Sequence, residues 1–228
     1  MLEYLKQTNL KLNDNCLEKL EEFKNMLLFW NKKFNLTTIT DDLGIEIKHF
    51  EDSLINEKYF FKNAKVCEIG SGGGFPSIPL MCLREDLNFT LFESVGKKCT
   101  FLNEVINNLK LNAKVVNVRA EDAGKNKEYR EKFDIVTARA VARLNTLSEY
   151  CIPFIKKEGL FIAYKGEKNG EEKEALNAIK TLGGTLINSD FYSLSFDMGE
   201  RSVFVIKKVI NTPEKYPRGN GKERSKPL

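Results

Sequence analysis

The chain has 228 residues, 42% hydrophobic and 30% charged, enough for one globular domain with a small appended element. No apolar run approaches the roughly 18–20 residues needed to cross a bilayer, and Met1-Leu2-Glu3-Tyr4-Leu5-Lys6 lacks a basic-then-apolar leader, so a soluble, cytoplasmic protein is expected. Cys16, Cys67, Cys82, Cys99 and Cys151 are odd in number and never form a CxxC pair, and His49 is the single histidine; disulfide frameworks, clustered-His metal sites and any Ser-His-Asp triad away from His49 are excluded.

In chain order, Asn13 to Asn15 offer helix caps, and Leu17, Leu20, Phe23, Leu27 and Trp30 follow at spacings of three and four, which predicts a first amphipathic helix. A second helix is predicted over about 45–56, with His49 on it in a structural or surface role. From residue 65 short apolar strands alternate with helical stretches, the pattern of an α/β domain with a mostly parallel sheet. The strands fall at 65–69, 89–93, 114–118, 134–138 and 159–164, and the helices at about 76–84, 97–110, 144–155 and 170–182. Two last strands, 185–194 and 202–208, have no helix between them and predict an antiparallel hairpin at one sheet edge. The expected division is a helical segment over 1–60, the α/β domain over 61–210 and a basic tail over 211–228.

Charge is concentrated at the end. Residues 207–228 hold seven Lys/Arg against two Glu, which leaves 29 cations against 30 anions in the rest of the chain. Such a tail, with Gly219, Asn220, Gly221 and Pro227, reads either as a frayed, solvated end or as a phosphate-contacting arm.

The most specific motif is Glu68-Ile69-Gly70-Ser71-Gly72-Gly73-Gly74-Phe75-Pro76, a strand running into a glycine loop and then a helix. A dinucleotide fingerprint needs glycine at the sixth position from Gly70, where Phe75 stands. The acid-x-Gly-x-Gly-x-Gly run of Glu68, Gly70, Gly72 and Gly74 instead resembles motif I of the S-adenosylmethionine-dependent methyltransferases. Glu93 ends the second strand, where a carboxylate can accept ribose hydroxyls, and the backbone of Ala120 with Glu121 follows the third, where an adenine could sit.

Further stretches carry a closer match: Asn31-Lys32-Lys33-Phe34-Asn35-Leu36-Thr37, His49 with Asp52-Ser53-Leu54, Arg119-Ala120-Glu121, Thr137-Ala138-Arg139-Ala140-Val141-Ala142, Lys165-Gly166 and Tyr216-Pro217-Arg218. With the glycine loop they resemble the small-subunit rRNA methyltransferase G family, also called glucose-inhibited division protein B. The resemblance implies a Rossmann-like methyltransferase fold with seven strands, and methyl transfer from S-adenosylmethionine to N7 of the guanine at position 527 of bacterial 16S rRNA. It places the cosubstrate pocket on Gly70, Phe75, Ala120, Glu121 and Arg139, to which Glu68, Gly72, Gly74 and Glu93 are added from the motif. Arg139, Lys165 and Arg218 are the candidate RNA contacts.

Guanine N7 has a lone pair and no proton, so no general base is expected, and no metal. The sequence agrees: it has no Asn/Asp-Pro-Pro-aromatic motif and no Pro-Cys pair. The implied partner is 16S rRNA or the small ribosomal subunit, with no membrane, no protein partner and a monomeric enzyme. Two other readings are a nicotinamide-dependent oxidoreductase, disfavoured by Phe75, and a non-catalytic RNA-binding module with a vestigial nucleotide pocket.

Overall fold

The computed structural model describes residues 2–167 and 170–228. Seven strands form one sheet: β1 Lys65–Ile69, β2 Asn88–Glu93, β3 Ala113–Asn117, β4 Phe133–Arg139, β5 Ile155–Lys165, β6 Gly184–Ser193 and β7 Glu200–Lys208. Their order is β3-β2-β1-β4-β5-β7-β6. The first five are parallel, and β7 runs antiparallel to both β5 and β6, as the missing final helix predicts. The fold is thus the Rossmann-like methyltransferase arrangement expected. The chain reverses direction across the sheet between β1 and β4, which opens a crevice beyond their carboxyl ends, where α/β sheets hold ligands.

Helix Asp14–Asn31 is capped by Asn13, whose side chain accepts from the Cys16 amide. It buries Leu20, Phe23 and Leu27 against Phe75, Ile78 and Phe101 on one face of the sheet. The predicted helix over 45–56 is a continuous helical run over 42–54, begun by an Asp41 side chain that accepts from the Gly44 amide. Its centre, Ile45–Glu51, is π-helical and carries His49. Buried Glu46 on this run accepts from the Tyr4 and Leu5 amides and from Lys24 Nζ, tying the first residues and the first helix to it. The helical segment therefore shares one core with the sheet.

Helices Leu144–Cys151 and Glu171–Thr181 cover the other face. The first is shorter than predicted because Pro153 follows in a turn of 3-10 helix, Ile152–Phe154, after which β5 starts early by pairing Ile155 with Phe133.

The tail is not a frayed end. Tyr216 is buried in the second core, with Leu228 packed at its margin. Arg130 donates to the carbonyls of Thr212, Pro213 and Tyr216, which fixes the path of the chain there. A local reading misses this because the anchoring residues lie far upstream. All five cysteines are buried with free thiols. Among the described residues no helix is long and apolar enough to cross a membrane.

Candidate functional site

The glycine loop leaves β1 by hydrogen bonds from the Gly70 and Ser71 amides to the Phe92 carbonyl. Gly70 (φ +71°) needs glycine twice over: its backbone is left-handed, and a Cβ there would lie 2.8 Å from Val141 Cγ2. Gly72 (φ +53°) differs, since a Cβ there would meet only the Gly70 carbonyl at 3.7 Å. The loop is held open at Gly72 toward space a ligand can use. Gly74 turns the chain into helix Ser77–Leu83.

Glu93 is buried and spends each carboxylate oxygen on a backbone amide, Gly72 at 2.9 Å and Val95 at 2.7 Å. It clasps the glycine loop to the start of helix Gly96–Asn108. Ribose hydroxyls would have to share these oxygens, whose remaining lone pairs are available.

Glu68 is fully buried, and neither carboxylate oxygen has a hydrogen bond among the described residues. Burial pushes its pKa up to about 8, an effect that nearby Ser77 and Arg139 only partly offset.

Beyond Gly70 lies a cavity of about 450 Å³. Its walls are Gly70, the β2 end at Phe92 and Ser94, the Val118–Asp122 turn with Ala120 and Glu121, then Val141 and Tyr150. Asn220, Gly221 and Arg224 of the tail complete it. Of the predicted cosubstrate residues, Gly70, Ala120 and Glu121 meet here.

A second cavity, about 710 Å³, opens on the side of the 42–54 helix and is lined by Lys48, His49, Asp52, Arg139, Ala140 and Lys165, among others. Arg139 is its organiser. One guanidinium nitrogen donates to the Lys48 carbonyl at 3.0 Å and to Asp52 Oδ2 at 2.8 Å, and the other to His49 Nδ1 at 3.0 Å. Its guanidinium carbon stands 5.0 Å from the Phe75 ring centre, and His49 stacks on the same ring at 4.3 Å. Since arginine can only donate, Nδ1 accepts, and Nε2 carries the proton toward Thr37 Oγ1 at 2.8 Å. Burial first, and Arg139 second, push the His49 pKa down to about 3, so the ring is neutral at physiological pH.

Phe75 is thus a buried platform under Arg139 and His49, outside the lining of the first cavity. Lys165 lines the second cavity, bonded to the Ala142 carbonyl and paired with Glu171, each at 2.8 Å. Arg218 does not stand free: its Nε and Nη2 grip both oxygens of Glu149, whose side chain is 1% exposed. A carboxylate buried that deeply needs a paired cation, and the bidentate arginine fork supplies it.

Sequence reasoning missed three contributions. His49 was expected in a structural or surface role, yet it sits against Phe75 and Arg139. Arg201, from β7, reaches Asp52 at 3.6 Å and lines the second cavity, and the tail walls the first. The family-like stretches holding His49 with Asp52 and Tyr216-Pro217-Arg218 were the signals available for the first and the last, and Arg201 had none.

A family model described as rRNA small subunit methyltransferase G matches residues 16–189. The chain belongs to that family. The ribosomal RNA small subunit methyltransferase G of Staphylococcus aureus strain JH9 is 43% identical over 232 residues, covering 100% of this chain and 97% of its own. That of strain Newman is 42% identical with the same coverage. Among solved structures, M. jannaschii TYW2 in complex with AdoMet aligns with a TM-score of 0.51 at 17% identity, over 70% of this chain and 77% of its own. The [4+2]-cyclase SpnF aligns at 0.56 and 11%, over 71% and 80%. At such identities these two share the fold alone, and a cyclase among them shows why the chemistry must be argued from the site.

Proposed function

We propose that this protein transfers a methyl group from S-adenosylmethionine to N7 of a guanine in 16S rRNA, at the position the family resemblance implies, in the cytoplasm where that RNA resides. One observation carries the reading: a single short loop after β4 borders both cavities, with Val141 in the lining of the first and Arg139 and Ala140 in that of the second. A donor held against Gly70 and a base held against Arg139 would meet across that loop.

The residues present suit such a donor. The open space beside Gly72 admits an aminoacyl nucleoside close to the backbone, and the unpartnered Glu68 carboxyl can serve a cation when ionised. When bound, S-adenosylmethionine supplies a sulfonium-activated methyl group. The chain's own task is then to orient the base, and effective concentration and alignment can contribute ~7–11 kcal/mol in well-ordered cases.

Arg139 is the group placed to do it. A guanidinium donates to guanine O6 and leaves the N7 lone pair free, provided it gives up or shares one of its present contacts. Neutral His49 and Asp52 fix the plane of that guanidinium. No residue is asked to take a proton, because N7 has none, and a histidine with a pKa near 3 would be a poor base at pH 7. Lys165 and Arg201 add positive charge to the same cavity.

Tritium transfer from labelled S-adenosylmethionine to small-subunit RNA, naked and within the subunit, tests the proposal. Label recovered as 7-methylguanine at one position is expected. Label on another base, or none with either substrate, refutes it.

A further inference from the structure

We propose that the turn and short helix over 219–225 form a binding wall for the adenosine end of the cosubstrate, with Arg224 as the contacting side chain. The inference rests on reading the first cavity as the donor site, and it assigns to the basic tail a ligand other than RNA.

The tail reaches this position by an ordered route. Arg218 is locked to Glu149 by its side chain and also donates its backbone N–H to Glu149 Oε1 at 2.8 Å. Glu223, fully buried, accepts from the Gly219 amide, and its carbonyl accepts from Thr146 Oγ1 at 2.9 Å. Both anchors, Glu149 and Thr146, lie on helix Leu144–Cys151, which also presents Tyr150 to the cavity. Between the anchors the chain turns through three left-handed residues, Gly219 (φ +81°), Asn220 (φ +57°) and Gly221 (φ +73°). A Cβ on Gly221 would find no heavy atom within 4 Å, so the turn projects into open space. Asn220, Gly221 and Arg224 thereby line one cavity with Gly70, Ala120 and Glu121.

The chemistry of this wall suits a purine. Arg224 is exposed and stands beside Tyr150, which is itself nearly buried, so a planar base laid against this pair would meet an aromatic residue and a weakly hydrated planar cation. The opposite wall at Ala120 and Glu121 offers backbone groups and a carboxylate, the complements of an adenine edge. Among the tail's cations, Arg224 alone belongs to the cavity lining, whereas exposed Lys215, Lys222 and Lys226 do not.

Two variants test the inference by titration calorimetry with S-adenosylmethionine and with S-adenosylhomocysteine, beside thermal melts followed by circular dichroism. A chain ending at Arg218 keeps the Glu149 pair and the Arg130 anchors. It should bind both nucleosides at least about tenfold more weakly, and full-length Arg224→Ala about three- to tenfold more weakly. The losses should be equal for the two ligands, because they share the adenosine end. If the natural chain binds both and neither variant changes Kd, the tail merely packs on the surface and the inference falls while the donor reading stands. If the truncation weakens binding but Arg224→Ala does not, the effect belongs to the fold and the assignment to Arg224 is overturned. A natural chain that binds neither nucleoside removes the donor reading, and this inference with it.

Discussion

The two cavities that meet at the Arg139–Val141 loop are built in opposite ways. The first is framed by three turns: the glycine loop, the turn after β3 and the turn of the tail. The second is walled by side chains already satisfied, Arg139 with Asp52 and His49, Lys165 with Glu171, Arg201 with Asp52. A pocket framed by glycine-containing turns accepts a small ligand by close approach, whereas a pre-bonded polar lattice presents a fixed charge to a large one. The contrast assigns holding to the first cavity and orienting to the second.

Arg139→Ala should break the contrast most. Among the described residues it leaves Asp52, whose side chain is 6% exposed, with Arg201 at 3.6 Å as its one cationic partner, and such losses cost about 3–5 kcal/mol when a buried charge is fully stranded. Single-turnover methyl transfer should fall at least ~100-fold, the scale of removing one well-placed donor, while donor Kd changes less than about threefold. A donor Kd that collapses in step with the rate would show that the cavities are one site.

Glu68→Gln tests, through pH, the buried carboxyl at the end of β1 that lines neither cavity. Burial holds the Glu68 pKa near 8 against an ordinary 4.5, so between those values the folded protein keeps a proton that the unfolded chain has lost. Stability on this account falls as pH rises from about 4.5 to 8. His49 has the opposite sign: with a folded pKa of about 3 against 6.5, it withdraws stability as pH falls below about 6.5. Urea denaturation of the ligand-free variant should show an advantage over the natural chain that grows from pH 5 to pH 8, reaching on the order of 2–4 kcal/mol, with the acid branch unchanged. A stability difference that stays flat from pH 5 to pH 8, or a deficit in the variant, would mean that the carboxyl is ionised in the folded protein.

Gly72→Val gives the smallest effect and sharpens the glycine loop, which borders the first cavity at Gly70. A branched side chain at φ +53° is strained by roughly 1–2 kcal/mol and enters the space beside the loop. Donor Kd should rise about tenfold, about 1.4 kcal/mol, with circular dichroism intact. Unchanged affinity by calorimetry would take the loop out of the site.

Legibility followed the locality of each signal. The sheet was readable because β1, β2 and β4 are short apolar runs buried on both faces, and the helical spacing of Leu20, Phe23 and Leu27 marked their helix. The glycine loop was readable because its requirement for positive φ is written in adjacent residues. The partners of Arg139 were not: Lys48 and Asp52 lie 91 and 87 residues away, on a helix with no periodic mark for the role. The tail misled for the same reason, since its basic, glycine-containing composition is that of a solvated end and nothing nearby announces Glu149.

By itself the sequence determined the alternation of strands and helices, the closing hairpin and the glycine turn, each of which rests on a local run of residues, and the placement of the chain in its family, which rests on several such short runs. Tertiary structure alone decided that His49 is a neutral prop for Arg139, that Phe75 is a platform behind the second cavity, and that the tail walls the first. The physical reason is burial: a charge or an imidazole changes its partner and its pKa according to what the fold packs against it, and packing joins residues that the chain keeps apart.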